Sequence, residues 1–240
     1  MKGGGFMVNQ RKSIARVFGV FLAAVLVAAL SCQVWSAEAE TKAETFTGSE
    51  LQTFALSRAD LLAKVSANAQ KDTYGMAVFY NIESLTFDDI YAASETAKED
   101  GKKIHLCFDS LINDEVTARL LMNPYLMSVS SGEMKLTIDI SDKTNKAVRE
   151  KFEKQFGQPV AVMKTAQTGS FGMPVVIAGK LNLGQMDKNN LYAYVYDPGA
   201  NKCSQIADPL CSVDDKGFVF LTSKTGGYII ITNYNEAAKR

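Results

Sequence analysis

The sequence predicts an α+β fold, and three observations lead to it. Patterns that fit amphipathic helices are concentrated early in the chain, short runs rich in Val, Ile, Phe and Tyr fill the later part, and Asp-Pro and Gly turns separate those runs. Short strands at this spacing favour a sandwich over a parallel α/β sheet. We predict an α/β N-terminal portion over residues 49–112 and a β-sandwich-like portion over 113–235, either as separate domains or around one core.

Three segments carry helical signals. Ser49 is a candidate N-cap for the first segment, and Thr86 with Asp89 forms a variant capping box at the start of the second. The third has apolar residues such as Phe152 at helical spacing. The predicted helices span 49–68, 87–99 and 141–157.

Short apolar runs predict the strands. In one of them, Ile104, Leu106 and Phe108 alternate with other residues and are expected to face the core. The pair Gly226-Gly227 precedes a strand and indicates a bend with positive φ. The predicted strands span 74–80, 104–108, 116–122, 134–140, 160–163, 174–178, 191–196, 217–222 and 228–232.

The first forty residues are typical of a secretory signal. Basic residues, among them Arg16, precede an apolar run over 17–30, and small residues follow at Ala37 and Ala39. A run of about 14 residues is shorter than the roughly 20 that a membrane-spanning helix needs. We predict a signal peptide over 1–39, cleaved before Glu40, and a disordered leader over 40–48.

These features predict a protein that is secreted or displayed at the cell surface, without membrane contact once the signal is removed. Cys32 leaves a second route open, because Leu30-Ser31-Cys32 weakly resembles the site at which a lipoprotein is lipidated. Removing residues 1–39 takes away four basic side chains and one acidic side chain, which leaves 22 basic and 25 acidic. A mildly acidic chain without a basic patch argues against nucleic acid as a partner.

The sequence offers no recognisable catalytic or metal constellation. His105 is the only histidine, and Cys107 follows on the same strand face at a spacing of about 7 Å, which is too long for a nucleophile–base hydrogen bond. The spacing between Cys203 and Cys211 matches no zinc motif, and no glycine-rich phosphate loop is present. We predict no catalytic residue, no metal ligand and no cofactor. A pair of carboxylates on distant strands stays open.

Two further features concern the later part of the chain. Tyr192, Tyr194 and Tyr196 have a period of two, so their rings share one sheet face. We predict that they bind ligand as an exposed aromatic stripe, and packing in the core is the alternative. Cys203 and Cys211 flank an Ala-Asp-Pro turn, and an exported protein could join them in a disulfide. Cys107 would then be a buried thiol.

Several short motifs carry a resemblance that covers most of the processed chain: Arg119-Leu120 with Asn123-Pro124, Ser170-Phe171-Gly172-Met173, Leu191 to Asp197, Val213 to Phe220, and Gly226 to Ile231. Their order and spacing resemble an uncharacterised C-terminal module that is common in secreted proteins of gut Clostridia. The resemblance implies an extracytoplasmic β-rich module of a Gram-positive anaerobe, and it assigns no activity to any residue. The cysteines at 203 and 211 depart from it.

These observations favour a secreted or cell-surface module that is not an enzyme and that binds protein or glycan. An exported hydrolase with carboxylates or a serine on loops is the alternative, and a structural spacer of an envelope assembly is a third possibility. A pocket with convergent ionisable groups would favour the hydrolase, and an exposed aromatic patch would favour the binding module.

Overall fold

The computed structural model describes residues 51–71, 74–99, 103–128, 131–206 and 211–235. The predicted signal peptide, the leader and the alternative lipidation site at Cys32 lie outside these residues. Within them the fold is α+β, as predicted. No helix of this part is long and apolar enough to cross a bilayer.

The helices are α1 (Arg58–Lys71), α2 (Phe87–Glu99) and α3 (Asp142–Phe156), with a short 3₁₀ helix at Pro124–Leu126. The strands are β1 (Tyr74–Tyr80), β2 (Ser84–Thr86), β3 (Lys103–Ile112), β4 (Glu115–Met122), β5 (Glu133–Lys135), β6 (Ile138–Asp139), β7 (Val160–Lys180), β8 (Tyr192–Asp197), β9 (Lys202–Gln205), β10 (Ser212–Val213) and β11 (Phe218–Thr232).

Nine of these strands form one sheet in the order β1-β3-β4-β7-β11-β8-β9, with β6 beside β7 and β10 beside β11. Strands β1 and β3 are parallel, with α2 between them in the chain, and the remaining pairs are antiparallel. Strands β2 and β5 form a separate two-stranded ladder. The sheet runs continuously from the N-terminal into the C-terminal portion.

Strands β7 and β11 are longer than the sequence predicts. Each of them joins two predicted strands, so that 160–163 with 174–178 and 217–222 with 228–232 become continuous strands of 21 and 15 residues. The register shifts between Ser223 and Thr225 and between Gly226 and Tyr228. The predicted bend at Gly226-Gly227 is confirmed, with Gly227 at φ 140°, but it lies within a continuous ladder, because an irregular step changes the strand direction without ending the pairing.

The bend divides the sheet into two halves. One half contains β1, β3, β4 and the later part of β7, and the other contains β8, β9 and the early part of β7. Residues of both halves, such as Ile177 and Met163, belong to the same main hydrophobic core. The arrangement is sandwich-like, although the sheet is not closed.

Helices α1 and α2 cover the main core, to which they contribute Leu61, Val65 and Ile90. Strand β3 contributes Ile104, Leu106 and Phe108, as its alternation predicts. A second cluster lies between α3 and the half of the sheet that contains β8. One face of the sheet therefore contributes to the main core, and α3 covers part of the opposite face.

The capping motifs in the sequence predict the start of two helices correctly and the start of the other helix incorrectly. The Thr86 hydroxyl accepts from the Asp89 N–H at 3.1 Å. Ser141 caps the start of α3, and Gly157, with φ 67°, caps its end. The prediction for the first helix is wrong at its start: α1 begins at Arg58, where the Ser57 hydroxyl accepts from the Asp60 N–H at 3.1 Å. A second capping motif of the same type lies inside the predicted span, and Ser49 lies outside the described residues.

The predicted strand 134–140 is also corrected. Met134, Leu136 and Ile138 are buried in alternation, as predicted, but the chain forms two short strands with different partners. Strand β5 pairs with β2, and β6 pairs with β7. The alternation reports which residues are buried, whereas the pairing depends on strands that are distant in sequence.

The bend at Gly226 allows a sharp stability prediction. A Cβ at this position would lie 2.2 Å from the Gln167 carbonyl oxygen and 2.5 Å from Thr165 Oγ1. The buried Thr165 hydroxyl accepts from the Gly227 N–H at 2.7 Å and lies 2.7 Å from the same Gln167 oxygen, so neither atom can move freely. We expect Gly226→Ala to lower the free energy of unfolding by about 2–3 kcal/mol, as overpacking of a core does.

Gly169 provides the control for this prediction. It has φ 80°, but no atom lies within 4 Å of the position that an alanine Cβ would occupy, so Gly169→Ala tests backbone strain without a clash. We expect a loss of about 1 kcal/mol for this variant. Urea unfolding of both variants gives the comparison, and equal losses would show that the close approach at Gly226 is not what costs stability.

Candidate functional site

The three tyrosines of β8 lie under α3 and do not form an exposed face. Tyr194 is 2% exposed, Tyr196 is 7% exposed, and Tyr192 is half-buried. The Phe152 ring of α3 lies 4.9 Å from the Tyr196 ring, and the Phe156 ring lies 5.2 Å from the Tyr194 ring. The prediction of a ligand-binding stripe is therefore wrong for Tyr194 and Tyr196, which pack in the core instead.

The hydroxyl groups of Tyr194 and Tyr196 form hydrogen bonds within the chain. The Tyr194 hydroxyl donates to the Tyr234 carbonyl at 3.0 Å, and the Lys151 ammonium donates to the Tyr196 hydroxyl at 2.7 Å. Lys151 also donates to Asn201 at 2.8 Å, which ties α3 to the turn after β8. The hydroxyls that would have contacted a ligand thus stabilise the packing of α3 on the sheet.

Cys203 and Cys211 do not form the predicted disulfide. Cys203 packs beside the aromatic cluster under α3, whereas Cys211 packs against the main core. Burial raises the pKa of the Cys211 thiol to about 12. The two cysteines are only eight positions apart in the sequence, but they pack into different clusters. Cys107 is a buried thiol, as expected.

The environment of β3 shifts the pKa of both His105 and Cys107. The Cys107 sulfur contacts an oxygen of Asp109 at 3.3 Å, and burial, followed by the Asp109 charge, raises the pKa of the thiol well above its usual value. Burial lowers the pKa of His105. A nucleophilic cysteine needs a lowered pKa, so the environment of Cys107 stabilises the unreactive thiol.

Asp109 and Arg119 form a buried ion pair that sequence reasoning did not predict. The Arg119 guanidinium donates from two nitrogens to the two carboxylate oxygens of Asp109, and the side chains are 14% and 2% exposed. Burial and then the Asp109 charge raise the pKa of nearby Tyr80. A bidentate pair leaves the carboxylate committed to Arg119, so the cluster suits a structural role better than proton transfer.

The described surface carries large apolar side chains at three places: Phe54, Tyr91 and Leu126. Tyr91 is 56% exposed on α2, and Leu126 is 53% exposed at the end of the 3₁₀ helix. The Lys98 ammonium lies 5.8 Å from the centre of the Tyr125 ring. The hydrogen bond with Glu95 raises the pKa of Lys98, and Tyr91 and Tyr125 raise it further. We call Tyr91, Lys98, Tyr125 and Leu126 the α2 patch.

Local structure holds the α2 patch at the surface. Ile90, Ala93 and Ala97 face the core from α2, which directs Tyr91 outward. Asn123 caps the 3₁₀ helix, because its side chain accepts from the Tyr125 N–H at 3.1 Å, and Pro124 occupies the first position. The Asn123-Pro124 motif was visible in the sequence, but its packing against α2 depends on the tertiary fold.

The described residues contain no group of three or more His, Cys, Asp or Glu side chains that could hold a metal ion. Comparisons with protein families, with curated proteins and with solved structures find no match for this chain. Its function is therefore inferred from the surface and chemistry of the chain itself.

Proposed function

We propose that this chain is an exported, non-enzymatic module that binds another protein, and that the α2 patch makes the contact. The observation that carries the proposal is the exposure of the Tyr91 ring on α2 and of the Leu126 side chain at the end of the 3₁₀ helix, whose Tyr125 ring lies 5.8 Å from the Lys98 ammonium. Tyrosine is enriched among the residues that dominate binding energy at protein interfaces. The signal-like N-terminus supports export, since it has the basic, apolar and small-residue regions in the expected order.

The composition of the patch favours protein over glycan. Sugar rings stack on exposed aromatic faces, whereas the α2 patch combines one exposed ring with an aliphatic side chain and an ammonium. Apolar area with a polar rim is the usual make-up of a protein interface. Glu95 lies 2.5 Å from the Lys98 ammonium, so Lys98 already forms an ion pair within the chain before another protein binds.

The proposal is tested by screening the secreted protein against arrays of cell-surface proteins and of glycans. The double variant Tyr91→Ala/Leu126→Ala is expected to weaken the protein hits at least tenfold, which corresponds to about 1.4 kcal/mol. Phe54→Ala is the matched control, because Phe54 is 38% exposed and pairs with Ile82 through its main chain, which the substitution keeps. The control should bind as the unmodified chain does.

Two outcomes would overturn the proposal. Equal binding by the double variant and the unmodified chain would exclude the α2 patch as the contact. Hits on the glycan array alone, unaffected by either variant, would exclude a protein partner. All variants change exposed side chains, so their free energies of unfolding should stay within about 1 kcal/mol of the unmodified value.

A further inference from the structure

Asp88 is a carboxylate of α2 that has no cation in the described part of the chain, whereas two of its neighbours have one. The Asp89 carboxylate lies 3.7 Å from the Arg58 guanidinium, and the Glu95 carboxylate lies 2.5 Å from the Lys98 ammonium. Asp88 is exposed and forms no ion pair with another residue that the structure describes. Its charge is therefore open to a further cation.

Asp88 lies beside the exposed ring of the α2 patch. Asp88, Tyr91 and Glu95 are three and four positions apart on α2, and residues at these spacings are neighbours on a helix surface, with roughly 5–6 Å between Cβ atoms. Helical side chains lean toward the N-terminus, so the Tyr91 ring leans toward the turn that contains Asp88. Tyr91 is 56% exposed, which shows that this part of the surface is open.

The same combination of groups occurs nearby with its cation in place. The Lys98 ammonium lies 5.8 Å from the centre of the Tyr125 ring and pairs with Glu95, so a ring, a carboxylate and a cation form a complete set. At Tyr91 the ring and the carboxylate of Asp88 are present, but no cation of the described residues lies over the ring. The set at Tyr91 lacks only the cation.

The neighbouring strand adds negative charge to this end of α2. The Phe87 N–H donates to the Gly132 carbonyl at 3.0 Å, which places β5 beside the first turn of the helix. Glu133, the first residue of β5, is exposed, and Lys135 lies two residues further along the ladder, away from α2. Carboxylates on two adjacent elements raise the local concentration of cations.

We propose that the protein bound by the α2 patch places an arginine guanidinium on the Tyr91 ring, where Asp88 accepts its hydrogen bonds. Because it takes the α2 patch as the contact surface, this inference rests on the proposed function. A guanidinium is planar, stacks on aromatic faces and donates two parallel hydrogen bonds to a carboxylate, whereas an ammonium acts as a point charge. Arginine is also enriched among the residues that dominate binding energy at protein interfaces.

The same groups disfavour an acidic partner. A carboxylate or phosphate placed on the Tyr91 ring would meet Asp88 and Glu133 with no cation between them, and like charges that face each other across an interface are costly. The charge at this end of α2 therefore selects a basic segment of the partner.

Titration of the isotope-labelled protein with hexa-arginine, followed by nuclear magnetic resonance, tests the proposal. Hexa-citrulline is the matched probe, because it replaces each guanidinium by a neutral group of nearly the same shape. Hexa-arginine is expected to shift the main-chain amide signals of Asp88 and Tyr91, and hexa-citrulline is not. Asp88→Asn and Tyr91→Leu should each raise the dissociation constant for hexa-arginine about threefold or more.

Asp215→Asn is the matched control, since it makes the same change of charge at an exposed residue of the turn before β11. It should bind hexa-arginine as the unmodified chain does, and thermal unfolding checks that each variant is folded. An absence of shifts at Asp88 and Tyr91 would overturn the proposal, as would folded Asp88→Asn that binds as tightly as the control. Equal binding of hexa-lysine would also overturn it, because net charge alone would then explain the contact.

These outcomes are distinguishable from a failure of the proposed function. Protein hits that the double variant Tyr91→Ala/Leu126→Ala weakens would support the α2 patch as the contact even where hexa-arginine does not bind. The arginine would then be excluded, and the patch would remain.

Discussion

Asp109→Asn is expected to lower the free energy of unfolding by about 3–5 kcal/mol. The substitution removes the carboxylate charge that faces the Arg119 guanidinium, whose side chain is only 14% exposed, and removing one partner of a pair that is largely withdrawn from water is costly. The asparagine has nearly the same shape, so the loss reports charge rather than volume. Urea unfolding followed by circular dichroism measures it.

An exposed ion pair provides the control for this measurement. Lys180 and Glu115 lie 3.4 Å apart with side chains 49% and 73% exposed, and Glu115→Gln should cost less than about 1 kcal/mol. The double variant Asp109→Leu/Arg119→Met removes both buried charges and should recover most of the loss. If Asp109→Asn cost no more than the exposed control, the pair would not be buried as the structure has it.

Tyr194→Ala is the second large prediction, with an expected loss of about 3–5 kcal/mol. The ring is among the largest fully buried side chains, and Phe156 and Tyr234 lie 5.2 and 6.3 Å from it between ring centres. Truncation would leave a cavity between α3 and the sheet that the rigid strands cannot close. Tyr194→Phe keeps the ring and removes only the bond to the Tyr234 carbonyl, so it should cost about 1 kcal/mol.

The sequence predicted those parts of the fold that depend on local chemistry. The cap at Thr86, the cap at Ser141 and the glycine after α3 fix helix ends through contacts within a few residues. The inward face of β3 follows from alternation alone. Strands β7 and β11 were each predicted as two strands, because a break in an apolar run marks a turn and a bent strand alike, and only the partner strand distinguishes them.

The candidate sites could not be predicted from local sequence patterns, because they depend on contacts between elements that are distant in the sequence. Alternation correctly placed the tyrosines of β8 on one face of the sheet, and the amphipathic pattern of α3 was also visible in the sequence. Neither pattern shows that α3 packs over these tyrosines. Asp109 and Arg119 meet because β3 and β4 pair in one register, which a single sequence does not specify. The α2 patch likewise requires the packing of the 3₁₀ helix near α2.

We propose that the tyrosines of β8 stabilise the fold while the α2 patch provides the binding surface, and one paired measurement separates these roles. Urea unfolding of Tyr194→Ala and Tyr91→Ala, each compared with the unmodified chain, distinguishes a core ring from a surface ring. The structure predicts a loss of about 3–5 kcal/mol for Tyr194→Ala and less than about 1 kcal/mol for Tyr91→Ala, because the two residues are 2% and 56% exposed. An unchanged stability for Tyr194→Ala, or a large loss for Tyr91→Ala, would overturn this division of roles.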